Sequence, residues 1–231
     1  MKENFTSINV VLDRSGSMKE LANDTIGSFN ALLKDQKELP YEAVFTLCTF
    51  NTDYHLVHDS VPLKDIPDLD DKSYRCSGGT SLLDAVGATI TSVGNKLARM
   101  PESDRPSKVI FLIITDGEEN SSHEFTKEQV SSMVQHQRDH YKWEFVFMGA
   151  NIDAFKNGTS LGVDSRNTMN YSATSVGTKG LYGQVSNSLR SYRGGNSGPQ
   201  VDFFNQPEEN KTDSKDLNVV PSKNPQDQNN N

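Results

Sequence analysis

Residues 8–18 read INVVLDRSGSM, an apolar run that stops abruptly in an aspartate followed by two serines at alternate positions. A near-continuous Ile-Asn-Val-Val-Leu stretch predicts a strand buried on both faces, as in a parallel sheet. Asp13, Ser15 and Ser17 then offer three oxygens on one short turn. Hard divalent cations such as Mg²⁺ take about six oxygen ligands in near-octahedral array, several of them often water, and a strand-to-helix turn can supply one face of that array. The spacing has a second reading, because Ser17 followed by Glu20 is also a capping box that starts a helix without any metal.

Two distant segments bear on the choice. Residues 76–85, CSGGTSLLDA, place Thr80 after a Gly-Gly turn and ahead of a helical pattern. Residues 109–120, VIFLIITDGEEN, place Asp116 at the end of another buried apolar run. In an open α/β sheet the loops leaving the carboxyl ends of the strands gather on one edge, where ligands bind. These residues in this order resemble the von Willebrand factor A domain, whose metal-ion-dependent adhesion site combines a D-x-S-x-S loop with a distant Thr and a distant Asp. The resemblance covers residues 5–193, and GGTSLLDA and TDGEEN read as in stand-alone bacterial and phage members. It implies that Asp13, Ser15, Ser17, Thr80 and Asp116 surround one Mg²⁺ or Mn²⁺, and that a protein partner completes the coordination with an Asp or Glu carboxylate. With no Cys or His in the set, these metals are expected ahead of zinc.

The alternation of elements predicts a doubly wound α/β fold: a mostly parallel sheet with one antiparallel edge strand and helices on both faces. Strands are expected at 5–12, 41–50, 54–58, 108–115, 143–149 and 167–172, the second and third forming a hairpin whose second strand lies at the sheet edge. Helices are expected at 18–37, 81–100, from 126, at 152–160 and at 176–192. Ser81 with Asp84, and Thr126 with Gln129, read as capping boxes. The helix from 126 is expected to bury Val130, Met133, Val134 and Tyr141. Residues 61–76, with two prolines and several aspartates, read as a surface loop. Glu118 and Glu119 read as solvated loop residues.

From 194 onward the chain is rich in Asn, Pro, Ser and charge, with six acidic residues against three basic, and such a composition cannot bury enough apolar surface to offset chain entropy. The expected organisation is one domain over 1–193 and a disordered acidic tail over 194–231. Within the tail, residues 201–204 (VDFF) form a compact apolar patch that either docks to a partner or packs back on its own domain. Asp202 or Glu208 is a conceivable carboxylate for the metal site.

A net charge of −8 without a block of basic residues argues against a nucleic-acid partner. The first apolar run is too short for a signal-peptide core, and no stretch approaches the roughly 18 apolar residues of a membrane span, so the expected place is the cytoplasm and no membrane partner is expected. Phosphate-loop and nucleophile-elbow motifs are absent. The chain is therefore read as a metal-dependent protein-binding module and not an enzyme. Two alternatives remain: phosphoryl transfer with Asp13 as nucleophile, and a structural virion or assembly component. His136 and His140 are four apart but lack the Glu of a zinc-protease helix, and read as a solvated face.

Overall fold

Along residues 109–114 the side chains divide strictly between two cores. Ile110, Leu112 and Ile114 join one buried cluster, while Val109, Phe111 and Ile113 join the other. A strand whose alternate side chains enter different cores must lie in the middle of a sheet covered on both faces, which is why this run carries no polar alternation. The structure, a computed structural model, describes residues 1–150, 153–195 and 202–204. Its strands are β1 (Lys2–Asp13), β2 (Glu42–Phe50), β3 (Tyr54–Pro62), β4 (Pro106–Thr115), β5 (Glu144–Ala150) and β6 (Thr168–Tyr171). Its α-helices are α1 (Ala22–Lys37), α2 (Leu82–Arg99), α3 (Lys127–Tyr141), α4 (Ala154–Ser160) and α5 (Ser175–Arg193).

The sheet order is β3-β2-β1-β4-β5-β6. All neighbours are parallel except β3, which runs antiparallel to β2 at the edge. Helices α1 and α5 lie together over one core, which holds Phe29, Leu33, Leu181, Val185 and Leu189. Helices α2 and α3 cover the other, with Val86, Ile90, Val130 and Val134. The doubly wound α/β architecture is thus as expected. On the second face, Phe111 stacks between Trp143 and Phe145, with ring centroids 5.5 and 5.0 Å away.

Several local expectations are corrected. A 3-10 turn (Gly16–Leu21) precedes α1, and Ser17 makes no capping box because its hydroxyl is spent elsewhere. Tyr141 is 61% exposed; the left-handed backbone of Lys142 (φ 57°) ends α3 there, and Trp143 fills the core instead. The stretch after β3 is a strap and not a bare surface loop. Its apolar residues Leu63, Ile66, Leu69 and Tyr74 are buried in the first core while its aspartates and lysines face water. The Thr126–Gln129 capping box is present.

The only part of the tail beyond Gly195 among the described residues packs back on the domain. Phe203 is fully buried with its ring 5.9 Å from Tyr192, and its carbonyl accepts from Ser188 Oγ at 2.5 Å. Its N–H donates to Asn167 Oδ1 at 3.1 Å, and Gln184 donates to the Phe204 carbonyl at 2.9 Å. Asp202 lies within electrostatic reach of Arg166 ahead of β6, at the amino end of the strands and far from their carboxyl edge. Glu208 falls outside the described residues. Phe203→Ala is expected to lower stability by about 2 kcal/mol, less than a central core truncation because the chain end can relax into the gap. Chemical denaturation measures this, and an unchanged midpoint would show the docking contributes nothing.

Asn167 connects this docked segment to a buried carboxyl. Its amide donates to Glu144 Oε2 at 3.3 Å, and burial pushes the Glu144 carboxyl up to about 7 despite Arg138. The folded state therefore binds the proton more tightly than the unfolded chain. Stability from this group is full below the unfolded value of 4.5 and is lost as pH rises through about 7. Glu144→Gln is expected to gain about 1 kcal/mol over the parent at pH 8 and nothing at pH 4, after discounting for partial exposure. Equal gains at both pH values in urea titrations would refute the assignment.

Candidate metal centre

Asp13 ends β1 and Asp116 follows Thr115, the last residue of β4. The strand order reverses between these two neighbours, since β1 is followed on one side by β2 and joined on the other by β4. Such a reversal splays the outgoing loops apart and opens a crevice at the carboxyl edge. The two aspartates are thus delivered to one spot by pairing 102 residues apart in sequence, in the register Leu12 opposite Ile114.

The hydroxyls converge on the same place. Ser15 Oγ lies 3.0 Å from Ser17 Oγ, and Ser17 Oγ donates to Asp116 Oδ1 at 2.7 Å. Thr80 meets them through Gly117: a Cβ on that glycine would stand 3.0 Å from Thr80 Oγ1 and 3.5 Å from Ser17 Oγ. A side chain at this position would crowd the Thr80 hydroxyl and push it back by a few tenths of an ångström, so glycine eases the close approach of the loops after β1 and β4 and the start of α2. All five sequence-derived residues are therefore brought together. Asp13, Ser15 and Thr80 are buried, Asp116 nearly so, and Ser17 is exposed, so the cluster opens to solvent on one side.

Asp13 is held on both oxygens. Oδ1 accepts from the Ser15 N–H at 2.6 Å and Oδ2 from Thr115 Oγ1 at 2.6 Å. Burial pushes its carboxyl up to about 6, and the neighbouring Asp116 adds to the rise; burial also raises Asp116. None of the ion pairs among the described residues includes either aspartate. Two buried carboxylates without a counter-charge are costly unless a cation accompanies them. The donors suit a hard cation: adjacent ligand oxygens of an octahedron with bonds of about 2.1 Å lie roughly 3 Å apart, the spacing of the serine and Asp116 oxygens. Among the described residues no three or more His, Cys, Asp or Glu groups gather to hold a metal, so any site here draws on hydroxyls as well as carboxylates.

Several residues that hold the site were not legible as such. Glu119, read as a solvated loop residue, accepts from the N–H groups of Leu83, Ser121 and Ser122 and from Ser122 Oγ, all within 2.9 Å. It thereby ties the loop after β4 to the first turn of α2. Asp84 does not complete a capping box with Ser81, whose hydroxyl donates to the Thr52 carbonyl. Asp84 instead accepts from the N–H groups of His123, Glu124 and Phe125. Asn120 Oδ1 accepts from the Thr80 N–H at 2.9 Å, and the Tyr74 hydroxyl donates to the Asp13 carbonyl. Gly78, with φ +77°, lets the preceding turn pass over Asn51 and Thr52. The signal available in the sequence was the polar run EENSSH itself, too dense for a loop with nothing to hold.

No family model and no curated protein matches the chain. Solved structures do. Proximal thread matrix protein 1 from the mussel byssus aligns at 16% identity with a TM-score of 0.55, over 82% of this chain and 47% of that one. A second structure of that protein, with a zinc-occupied MIDAS motif, aligns at 12% identity and TM-score 0.56 over 80% and 48%. A von Willebrand factor type A protein from Catenulispora acidiphila aligns at 13% identity and TM-score 0.52 over 82% and 43%. The fold is that of a von Willebrand factor A domain. The chain spans just under half the length of these solved structures, and at such identities the likeness is one of fold. Within the von Willebrand factor A fold the five oxygen-bearing residues lie at the carboxyl edge, on the loops after β1 and β4 and before α2. No helix among the described residues is long and apolar enough to cross a membrane.

Proposed function

We propose that the chain is a metal-dependent protein-binding module of the stand-alone bacterial or phage type, an adaptor and not an enzyme. Asp13, Ser15, Ser17, Thr80 and Asp116 hold one Mg²⁺ or Mn²⁺, some directly and some through water. The observation that carries this reading is the meeting of two carboxylates and three hydroxyls, neither carboxylate in an ion pair among the described residues, in a crevice open to solvent at the switch between β1 and β4. When bound, the cation supplies an electrophilic position for an Asp or Glu carboxylate of the partner. Two aspartates bring a divalent ion to about neutrality, so that position keeps its attraction for a third carboxylate. The neutral hydroxyls fill coordination without opposing it.

The protein's own residues prepare this arrangement. Thr115 and the Ser15 N–H orient the Asp13 carboxylate, Asn120 positions Thr80, and Glu119 holds the loop after Asp116 against α2. A nucleophilic role for Asp13 is disfavoured because its side chain is wholly buried and both oxygens are engaged. The two cysteines are unpaired, consistent with a reducing, cytoplasmic setting. The domain comprises residues 1–193, and the remainder is a polar tail anchored through Phe203 and Phe204.

Affinity capture from the native cell with the full chain, in Mg²⁺ and again with chelator, tests the reading. A partner retained only with Mg²⁺, and lost when its contacting acidic residue becomes an amide, is the expected result. Symmetric self-association that survives chelation would identify a structural assembly component instead. Turnover of phosphate esters lost in Asp13→Asn would identify an enzyme.

A further inference from the structure

A cleft of ≈ 420 Å³ opens between α2 and α3 at the amino end of the sheet, on the face opposite α1 and α5. Leu97 of α2 and Met133 of α3 line its sides, with the buried Val109 of β4 and Trp143 ahead of β5 between them. Leu97 and Met133 are only half-buried, whereas Val93 and Val134 on the same helices are closed off in the core. Met1 and Tyr141, both more than half exposed, border the same cleft. A contiguous apolar surface left open to water in this way marks a place where another segment packs.

Gly94 deepens the cleft. It lies within α2, where glycine weakens a helix relative to alanine, and its surroundings do not require it: a Cβ there would stand 3.8 Å from Trp143 Cη2, an ordinary contact. The glycine instead leaves open space over the indole that an apolar side chain from elsewhere can enter. Arg105, half-exposed, and His136 line the cleft, and no carboxylate among the described residues does.

We propose that this cleft is the docking site of the chain's own residues 217–220, Leu-Asn-Val-Val. Beyond Phe204 the chain continues through residues 205–231, and apart from proline its only apolar side chains there are Leu217, Val219 and Val220, one cluster closed by Pro221. Asp216 adjoins the cluster and supplies a counter-charge for Arg105. Phe203 and Phe204 fix where this stretch begins. Tyr192, against which Phe203 packs, donates to the Val109 carbonyl at 3.4 Å, and Val109 lines the cleft from the other face of the sheet. At about 3.4 Å per residue the chain from 204 to 217 reaches up to roughly 44 Å, ample to pass round the amino edge of β4. The tether supplies an effective concentration on the order of 1 mM, so three aliphatic side chains suffice without a tight site. This edge is opposite to that of Asp13 and Asp116, and the docking stands independently of the metal reading.

The test uses the full chain labelled with ¹⁵N. Trp143 is the only tryptophan, so the indole N–H of this cleft residue gives a single resonance. Leu217→Asp, Val219→Asp and Val220→Asp together are expected to shift it. A free peptide of residues 213–222, added to that triple variant, is expected to return it saturably towards the parent position with a Kd of about 1 mM or below. Gly94→Leu in the same background fills the cleft from α2 and is expected to keep the fold and weaken the peptide about tenfold. Tyr141→Ala, at the exposed border, gives a second comparison in case Gly94→Leu does not fold, with a several-fold loss expected. An indole resonance unmoved by the triple substitution, no saturable return with peptide up to about 5 mM, or unchanged peptide affinity in the folded cleft variants would overturn the proposal. So would a parent resonance that shifts with protein concentration between about 20 and 500 µM, which would give the cleft to the tail of a second copy.

Discussion

Asp13→Asn is expected to abolish the stabilisation that Mg²⁺ confers and, with it, partner binding. A ligand at about a hundred times its dissociation constant stabilises the folded state by about 2.7 kcal/mol, which for a chain of this length is roughly 5 to 10 °C in Tm. The parent should show that rise on going from chelator to Mg²⁺; the variant should show none. In chelator the variant should be at least as stable as the parent. Its side chain keeps an oxygen to accept from Ser15 N–H or Thr115 while removing a buried charge beside Asp116. Partner affinity should fall by about a hundredfold or more, since the loss removes a charge-assisted contact and not a rim interaction. Calorimetry against the captured partner measures it. An undiminished Mg²⁺ response in Asp13→Asn would place the cation elsewhere, and an undiminished partner affinity would place the interface on another surface.

Glu119→Ala is expected to be the most destabilising change at the carboxyl edge, by about 3 kcal/mol. Its carboxylate is the shared acceptor of three backbone N–H groups and one hydroxyl, and hydrogen bonds to a charged group contribute about 1.5 to 3 kcal/mol each before losses overlap. Leu83 N–H, in the first turn of α2, would be left without its cap. Because the same carboxylate holds the loop after Asp116 against the helix that follows Thr80, Mg²⁺ affinity should fall about tenfold as well. Glu119→Gln, which retains one acceptor oxygen, should recover part of both. Stability lost without any change in Mg²⁺ affinity would mean that Thr80 and Asp116 keep their positions without this tie. Glu118→Ala provides the control, since Glu118 is exposed and accepts none of these bonds.

The sheet was legible because its strands are local statements. Runs such as VIFLII are apolar at every position, and a strand covered on both faces requires that and little else. The helices were legible in the same way: Leu82, Val86, Ile90 and Val93 repeat at helical spacing and are buried together in one core. Where the reading failed, two local signals competed and the tertiary environment chose between them. Ser17 with Glu20, and Ser81 with Asp84, satisfy the pattern of a capping box. Yet Ser17 lies beside Asp116, and Ser81 beside the Thr52 carbonyl. A side-chain oxygen goes to whichever donor or acceptor folding brings closest, and that partner can lie a hundred residues away.

The five oxygen-bearing positions were named by motif, but a motif carries no distances. What the chain determined by itself was the sequence of buried strands and amphipathic helices, and with it which loops leave the carboxyl edge. Only the tertiary structure decided that β1 lies beside β4, so that Asp13 and Asp116 share one crevice with neither in an ion pair among the described residues. It also decided that Gly117 admits the Thr80 hydroxyl, and that Glu119 and Tyr74 brace the site. It likewise placed Phe203 on α5 and the Arg193 guanidinium against the carboxyl end of α1. These last facts depend on contacts between segments far apart in sequence, whose energies arise from burial and pairing in three dimensions and leave no periodic trace along the chain.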